Sequence, residues 1–173
     1  MNTAALGTKE KEVATIYEYE CNCKSDLDRL NNIAQTQKWK YGFCIYANAY
    51  NKRYAINSIY RNVGVYTIED KSGKTICICD TMNDEDEIRV KHIESSQDKK
   101  YKYAGSNMLK MLGVKVLDSG RNFLTINDAQ EEALGFYIQK CGFDILGVNI
   151  DDDSGLDLTM GREDLANFTK RFT

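Results

Sequence analysis

Glu87 to Ile126 reads EIRVKHIESSQDKKYKYAGSNMLKMLGVKVLDSGRNFLTI, and the choice of fold turns on this stretch. Its first residues, EIRVKHIES from Glu87 to Ser95, read as a strand. A polar, lysine-rich loop with a single glycine follows. From about Ala104 to Asp118, Met108, Leu109, Met111, Leu112, Val116 and Leu117 recur at helical spacing, and Gly120 stands where a helix ends. Asn122 to Ile126 is a short apolar strand. A strand–helix–strand crossover of this length joins parallel strands and is right-handed in nearly every known case.

The flanks add antiparallel structure. Val13 to Tyr19 is a loosely alternating, β-rich strand, and SDLDRLNNIAQTQ from Ser25 carries a capping serine, early acids and apolar Leu27, Leu30 and Ile33. Trp39 to Arg61 has weak periodicity and reads as a short helix with irregular flanks. VGVYTIED, KSGK and TICICDT form a hairpin turning at Ser72–Gly73. On the far side Asp128 is expected to cap a helix running to about Lys140. Phe143 to Ile150 and Leu156 to Met160 then close the sheet around the acidic turn DDDSG, Asp151 to Gly155. The expected fold class is α/β (α+β): one domain over residues 1–173, with a mixed, mostly antiparallel sheet, helices on both faces and one parallel crossover. Residues 1–11 are expected to be a flexible N-terminus.

Composition narrows the function. Apolar residues make up 42% of the 173, enough for one core, and a net charge of −3 gives no electrostatic footprint for nucleic acid or an anionic membrane. No apolar run approaches the ~20 residues of a membrane span. Charges at Lys9 to Glu12 stand where a signal peptide needs apolar residues, so the expected location is cytoplasmic. Six cysteines and one histidine make a poor zinc set. Cys77 and Cys79, two apart in a strand, are expected to point together into a core, and no metal is assigned.

The loop SSQDKKYKYAGSNML, Ser95 to Leu109, places Ala104, Gly105, Ser106 and Asn107 at a helix N-terminus. Such an end has unpaired donors and a positive dipole, which suit a phosphate, and Lys99, Lys100 and Lys102 precede it. The segment resembles the coenzyme A loop of the GNAT superfamily of N-acetyltransferases, Arg/Gln-x-x-Gly-x-Gly/Ala followed by an apolar helix. Lys100 falls on the basic slot, Tyr103 on the first glycine and Gly105 on the second. EEALGFYIQKCGF, Glu131 to Phe143, is similar to the family's late helix in Ala133, Phe136, Tyr137, Gly142 and Phe143. The Tyr137–Gly142 spacing is one residue longer than the common form. An extra residue in the turn leaves Tyr137 facing as the family's tyrosine does, whereas one in the helix rotates it by ~100°.

The resemblance implies acetyl-CoA as co-substrate and direct attack of an amine on its thioester. The coenzyme would be held by Ile93, Ser95, Lys100, Lys102, Tyr103, Ala104, Gly105, Ser106 and Asn107, with the backbone of Ile93 and Ser95 along the pantetheine arm. Tyr137 would protonate the departing thiolate. Arg89 stands where some members place a glutamate base, which leaves Glu94 as the candidate, with a water relay from Glu87 or Glu94. The implied acceptor is a small-molecule or protein amine, and the acidic DDDSG turn favours a cationic one. The sequence leaves a homodimer open. The alternative reading is an inactive module of the same fold that binds acetyl-CoA or a protein partner.

Overall fold

The structure, a computed structural model, describes residues 2–6, 12–19, 23–36, 39, 63–97, 101, 103–148 and 155–171. Most of Trp39 to Arg61, Lys100, Lys102 and Asp151 to Ser154 lie outside the described residues. The strands are β1 (Asn2–Leu6), β2 (Glu12–Tyr19), β3 (Val63–Glu69), β4 (Thr75–Asn83), β5 (Glu87–Ser95), β6 (Phe123–Gln130), β7 (Asp144–Val148) and β8 (Gly155–Gly161). The helices are α1 (Lys24–Thr36), α2 (Ala104–Asp118), α3 (Glu131–Leu134, continuing as a π-helix over Gly135–Cys141) and α4 (Arg162–Lys170). None of the described helices is long and apolar enough to cross a membrane. The chain divides into two compact units, Met1–Asp80 with Ile93–Asn107, and Thr81–His92 with Met108–Thr173.

In the first unit the strands run in the order β1-β2-β3-β4-β5, with β1/β2 and β2/β3 antiparallel. α1 has one apolar stripe, and Leu30 and Ile33 bury it against Tyr19, Val65 and Ile78. Beside this cluster the buried Glu69 carboxylate takes Arg29 Nη2 on both oxygens at 2.7 Å. The Arg29 guanidinium lies 4.3 Å from the Tyr17 ring centroid, and Tyr19 OH donates to Glu69 at 3.4 Å. A buried carboxylate survives only with such partners, so this network ties α1 to the sheet. Burial pushes the Tyr19 phenol up to about 12.

The β3–β4 turn falls where the sequence predicts it. Gly73 takes φ 79°, the left-handed region open to glycine, and Gly73 N donates to Asp70 O at 3.0 Å. Cys77 and Cys79 are fully buried free thiols, as expected, and Ile76 and Ile78 on the other face of β4 are buried as well.

In the second unit the order is β5-β6-β8-β7. β5 and β6 are the expected parallel pair, in register from Glu87↔Phe123 to Val90↔Ile126, and β6/β8 and β7/β8 are antiparallel. α2 runs over the predicted residues, and Gly120 beyond it has φ 76°. α4 packs on α2 at Gly113, where a Cβ would lie 3.1 Å from Thr169 Cγ2 and 3.2 Å from Leu165 Cδ2. α4, with Leu165 and Phe168 buried, is missing from the sequence reading. β7 carries Ile145, Leu146 and Val148 largely exposed.

Two expectations fail. The sequence leaves residues 1–11 flexible, yet Asn2–Leu6 pair along β2 from Asn2↔Ile16 to Leu6↔Glu12. Pairing satisfies the N–H and C=O groups on that edge of β2 whatever the strand propensity of NTAAL. Asp128 does not cap a helix. β6 continues to Gln130, α3 starts at Glu131, and its N-cap Gln130 makes no side-chain capping bond. Asp128 sits at a register shift between Ile126 and Ala129, with φ 54° and its amide donating to Asp157 Oδ1 at 2.9 Å. Asp tolerates left-handed backbone better than most residues, which suits it to a bulge as well as to a cap.

The bulge also dictates its neighbour. A Cβ on Gly155 would stand 1.9 Å from Asp128 Oδ1 and 3.0 Å from the Asp128 backbone carbon. Gly155→Ala should therefore destabilise the fold by about 1–3 kcal/mol, read from denaturant unfolding. An unchanged midpoint would mean that the bulge is not held in this form.

Candidate functional site

The parallel ladder between β5 and β6 stops at Val90↔Ile126, so Lys91 to Ser95 run on past their last partner on β6. Toward β4 the strand stays tied: Ser96 N donates to Ile76 O at 2.8 Å and Ser95 Oγ to Cys77 Sγ at 3.8 Å. Ile93 and Ser95 are half-buried, and the Ser95 side chain is directed to Cys77. What the strand end has to offer a ligand is therefore its backbone. Burial pushes the Cys77 thiol up to about 12, which makes it inert as a nucleophile.

The next described element along the chain is α2. Its first intrahelical bond is Asn107 N to Tyr103 O at 2.9 Å, which makes Tyr103 the N-cap. The amides of Ala104, Gly105 and Ser106 precede that bond and have no acceptor within the helix. Ala104 and Ser106 are small and buried, and Gly105 presents no side chain. Asn107 is 7% exposed, and its Nδ2 has no partner among the described residues. Tyr103 occupies the slot that the resemblance gives to a glycine. It takes φ 66°, the conformation a glycine would serve, and its side chain is 55% exposed. The ring stands outward, and holding a tyrosine there costs about 1–2 kcal/mol. Amides with no acceptor within the helix, small side chains and, among the described residues, one buried donor without a partner fit a pyrophosphate at this helix end. The Lys100 and Lys102 positions lie outside the described residues.

A tether that the sequence did not signal holds this loop. Tyr101 OH donates to the Asp70 carboxylate, and Lys74 Nζ lies 5.7 Å from the Tyr101 ring centroid. Burial raises the Asp70 pKa, but bonds from Ser72, Tyr101 and the Lys74 amide outweigh it and leave the group at about 2.

The two catalytic candidates fare differently. Glu94 is 7% exposed and, by alternation, shares the strand face of Ile88 and Val90. In the second unit Glu87 is committed: it accepts from Arg89 and, through Oε2, from Thr125 Oγ1 at 2.5 Å.

Tyr137, also in the second unit, lies in the π-helix. Gly142 N donates five residues back to Tyr137 O at 3.0 Å, and Gly142 takes φ 88°. The extra residue thus sits in the helix, yet the expected rotation does not follow. An i→i+5 turn holds about 4.4 residues, so five of them sweep ~410°, against ~400° for four α-helical residues. Tyr137 keeps the direction that the shorter spacing would give. Its ring is 7% exposed, edge-on to Phe136 at 5.2 Å and to Phe143 at 6.1 Å. Among the described residues no group of three or more His, Cys, Asp or Glu is placed to hold a metal.

No family model matches the sequence, and no curated protein does. Solved structures do. A structure described as a bacterial toxin matches with a TM-score of 0.67 at 12% identity, over 94% of this chain and 98% of its own. The PaiA N-acetyltransferase from Thermoplasma acidophilum, in complex with coenzyme A, matches with a TM-score of 0.61 at 14% identity, over 86% and 98%. A spermidine N-acetyltransferase from Vibrio cholerae matches with a TM-score of 0.59 at 13% identity, over 91% and 98%. Identities this low speak to fold alone. With its one parallel crossover, open strand end and glycine-bearing helix start, the chain has the GNAT-type acyl-CoA N-acyltransferase fold.

Proposed function

We propose that this protein is a cytoplasmic N-acetyltransferase that moves an acetyl group from acetyl-CoA to an amine by direct attack. One observation carries the reading: β5 runs past its last ladder partner on β6, and the helix that follows it in the chain starts with three amides that have no acceptor within the helix. An extended pantetheine arm has amide groups that can pair with such a strand edge as an added strand does. The pyrophosphate then meets the amides of Ala104, Gly105 and Ser106, with Lys100 and Lys102 to offset its charge.

The chemistry asks little of side chains. A backbone N–H on the β5 edge near Ser95 polarises the thioester carbonyl as negative charge develops on its oxygen. The amine nitrogen forms the new C–N bond, the C–S bond breaks, and Tyr137 gives its proton to the thiolate. Glu94 takes the amine's proton through water. The acceptor is a small-molecule or protein amine, and Asp151, Asp152 and Asp153 favour a cationic one.

The second reading, a coenzyme-binding module without turnover, has its own support. Glu87 is held by Arg89 and Thr125, so the strand presents a salt bridge where a base would serve.

Thermal unfolding tests the first step. Coenzyme A or acetyl-CoA at a hundred times its Kd should add about 2.7 kcal/mol and raise Tm by about 5–10 °C, while ATP does less. No shift with either coenzyme form would end both readings. Tyr103 gives a sharper version. Tyr103→Gly should bind coenzyme A at least as well as the parent, because glycine takes the same φ freely. Tyr103→Val, β-branched and ill-suited to φ 66°, should bind at least tenfold more weakly; equal affinities would separate the strained turn from binding. If binding appears, thiol release across an amine panel decides between enzyme and module. In an active protein Tyr137→Phe should lower kcat by about a hundredfold with little change in the KM for acetyl-CoA.

A further inference from the structure

The β3–β4 turn and the loop before α2 issue from the same end of the hairpin, since the bond from Ser96 N to Ile76 O sets the close of β5 against the start of β4. Asp70 joins them, and its two oxygens divide the work. Of the two, Oδ1 serves the turn, accepting from Ser72 N at 2.8 Å, Ser72 Oγ at 2.6 Å and Lys74 N at 3.0 Å beside the backbone bonds between Asp70 and Gly73 and Lys74. Oδ2 accepts from Tyr101 OH. A turn of this kind needs only the first set. The second reaches across to the loop two residues before Tyr103, the strained N-cap of α2.

We propose that Asp70 and Tyr101 are positioning residues for the coenzyme: their hydroxyl–carboxylate bond pins the loop so that the Ala104, Gly105 and Ser106 amides stay aimed at the pyrophosphate. The proposal rests on the acetyl-CoA reading above. A left-handed tyrosine persists only where its surroundings over-determine it, and a fixed point at Tyr101 supplies that constraint. Charge is managed as well. A carboxylate beside a polyanion site would repel it, but here the charge is spread over four hydrogen bonds, and the Lys74 ammonium stands over the Tyr101 ring.

Tyr101→Phe removes the hydroxyl and leaves the turn intact. Calorimetry should show coenzyme A bound about tenfold more weakly, as expected for losing a hydrogen bond to a charged group. In an active protein the KM for acetyl-CoA should rise while kcat and the acceptor KM hold. Ser72→Ala, which weakens only the Oδ1 set, should lower Tm without changing coenzyme affinity. Parent-like affinity in Tyr101→Phe, or an equal loss in Ser72→Ala, would overturn the proposal. Amide exchange over residues 101–107 in the free protein reads the tether with no coenzyme present. Faster exchange in Tyr101→Phe supports the pin, and unchanged exchange refutes it. Should the parent bind no coenzyme at all, the acetyl-CoA reading fails by itself, and the exchange comparison still decides whether the loop is pinned.

Discussion

A strand that rejoins its neighbour in parallel has to be carried across a face of the sheet, and that requirement shapes everything between Glu87 and Ile126. β5 supplies the outgoing strand, α2 the return and β6 the parallel partner. The return needs a helix start beyond the end of β5, and a helix start leaves amides without acceptors. The same geometry lets β5 outrun its ladder with β6. Strand edge and helix amides follow in sequence because one chain must turn between them. The proposed coenzyme, with an extended amide arm and a phosphate end, would meet complementary groups in that order.

The parts that were legible in the sequence are those with strong periodicity. α2 and β5 occupy the residues read for them, since six apolar positions at helical spacing and a nine-residue strand pattern leave few alternatives. Alternation puts Cys77 and Cys79 on one face of β4, but both faces of that strand are buried, Ile76 and Ile78 included. β1 is illegible because its reason lies in β2: a short polar-alanine segment pairs with an edge that it cannot announce. Asp128 misleads because one side-chain chemistry serves both a cap and a left-handed bulge. The choice is made by β8, through Asp157 and Gly155.

At the site, the motif positions themselves were readable, and their geometry was not. Tyr103 in a glycine slot reads as an obstacle, and only the backbone angle shows an L-residue taking the left-handed conformation with its ring outward. The Asp70–Tyr101 bond joins segments with no common pattern, so nothing in the spacing points to it. α4 had a signal in Leu165 and Phe168, but nine residues carry too little of it to stand out.

The π-turn before Gly142 bears on how such a chain tolerates change in length. An α-helix has a fixed phase, and a residue added within it normally turns everything upstream relative to everything downstream. Over Gly135–Cys141 the wider turn absorbs the addition, and the chain leaves the helix at Gly142 nearly in step. The segment acts as a slip joint, where an indel registers as a bulge in the backbone and not as a change of face. Its weaker hydrogen-bond geometry makes it the soft point of the helix. Removing one residue there should tighten the turn to α form while Phe136 and Tyr137 go on facing as they do.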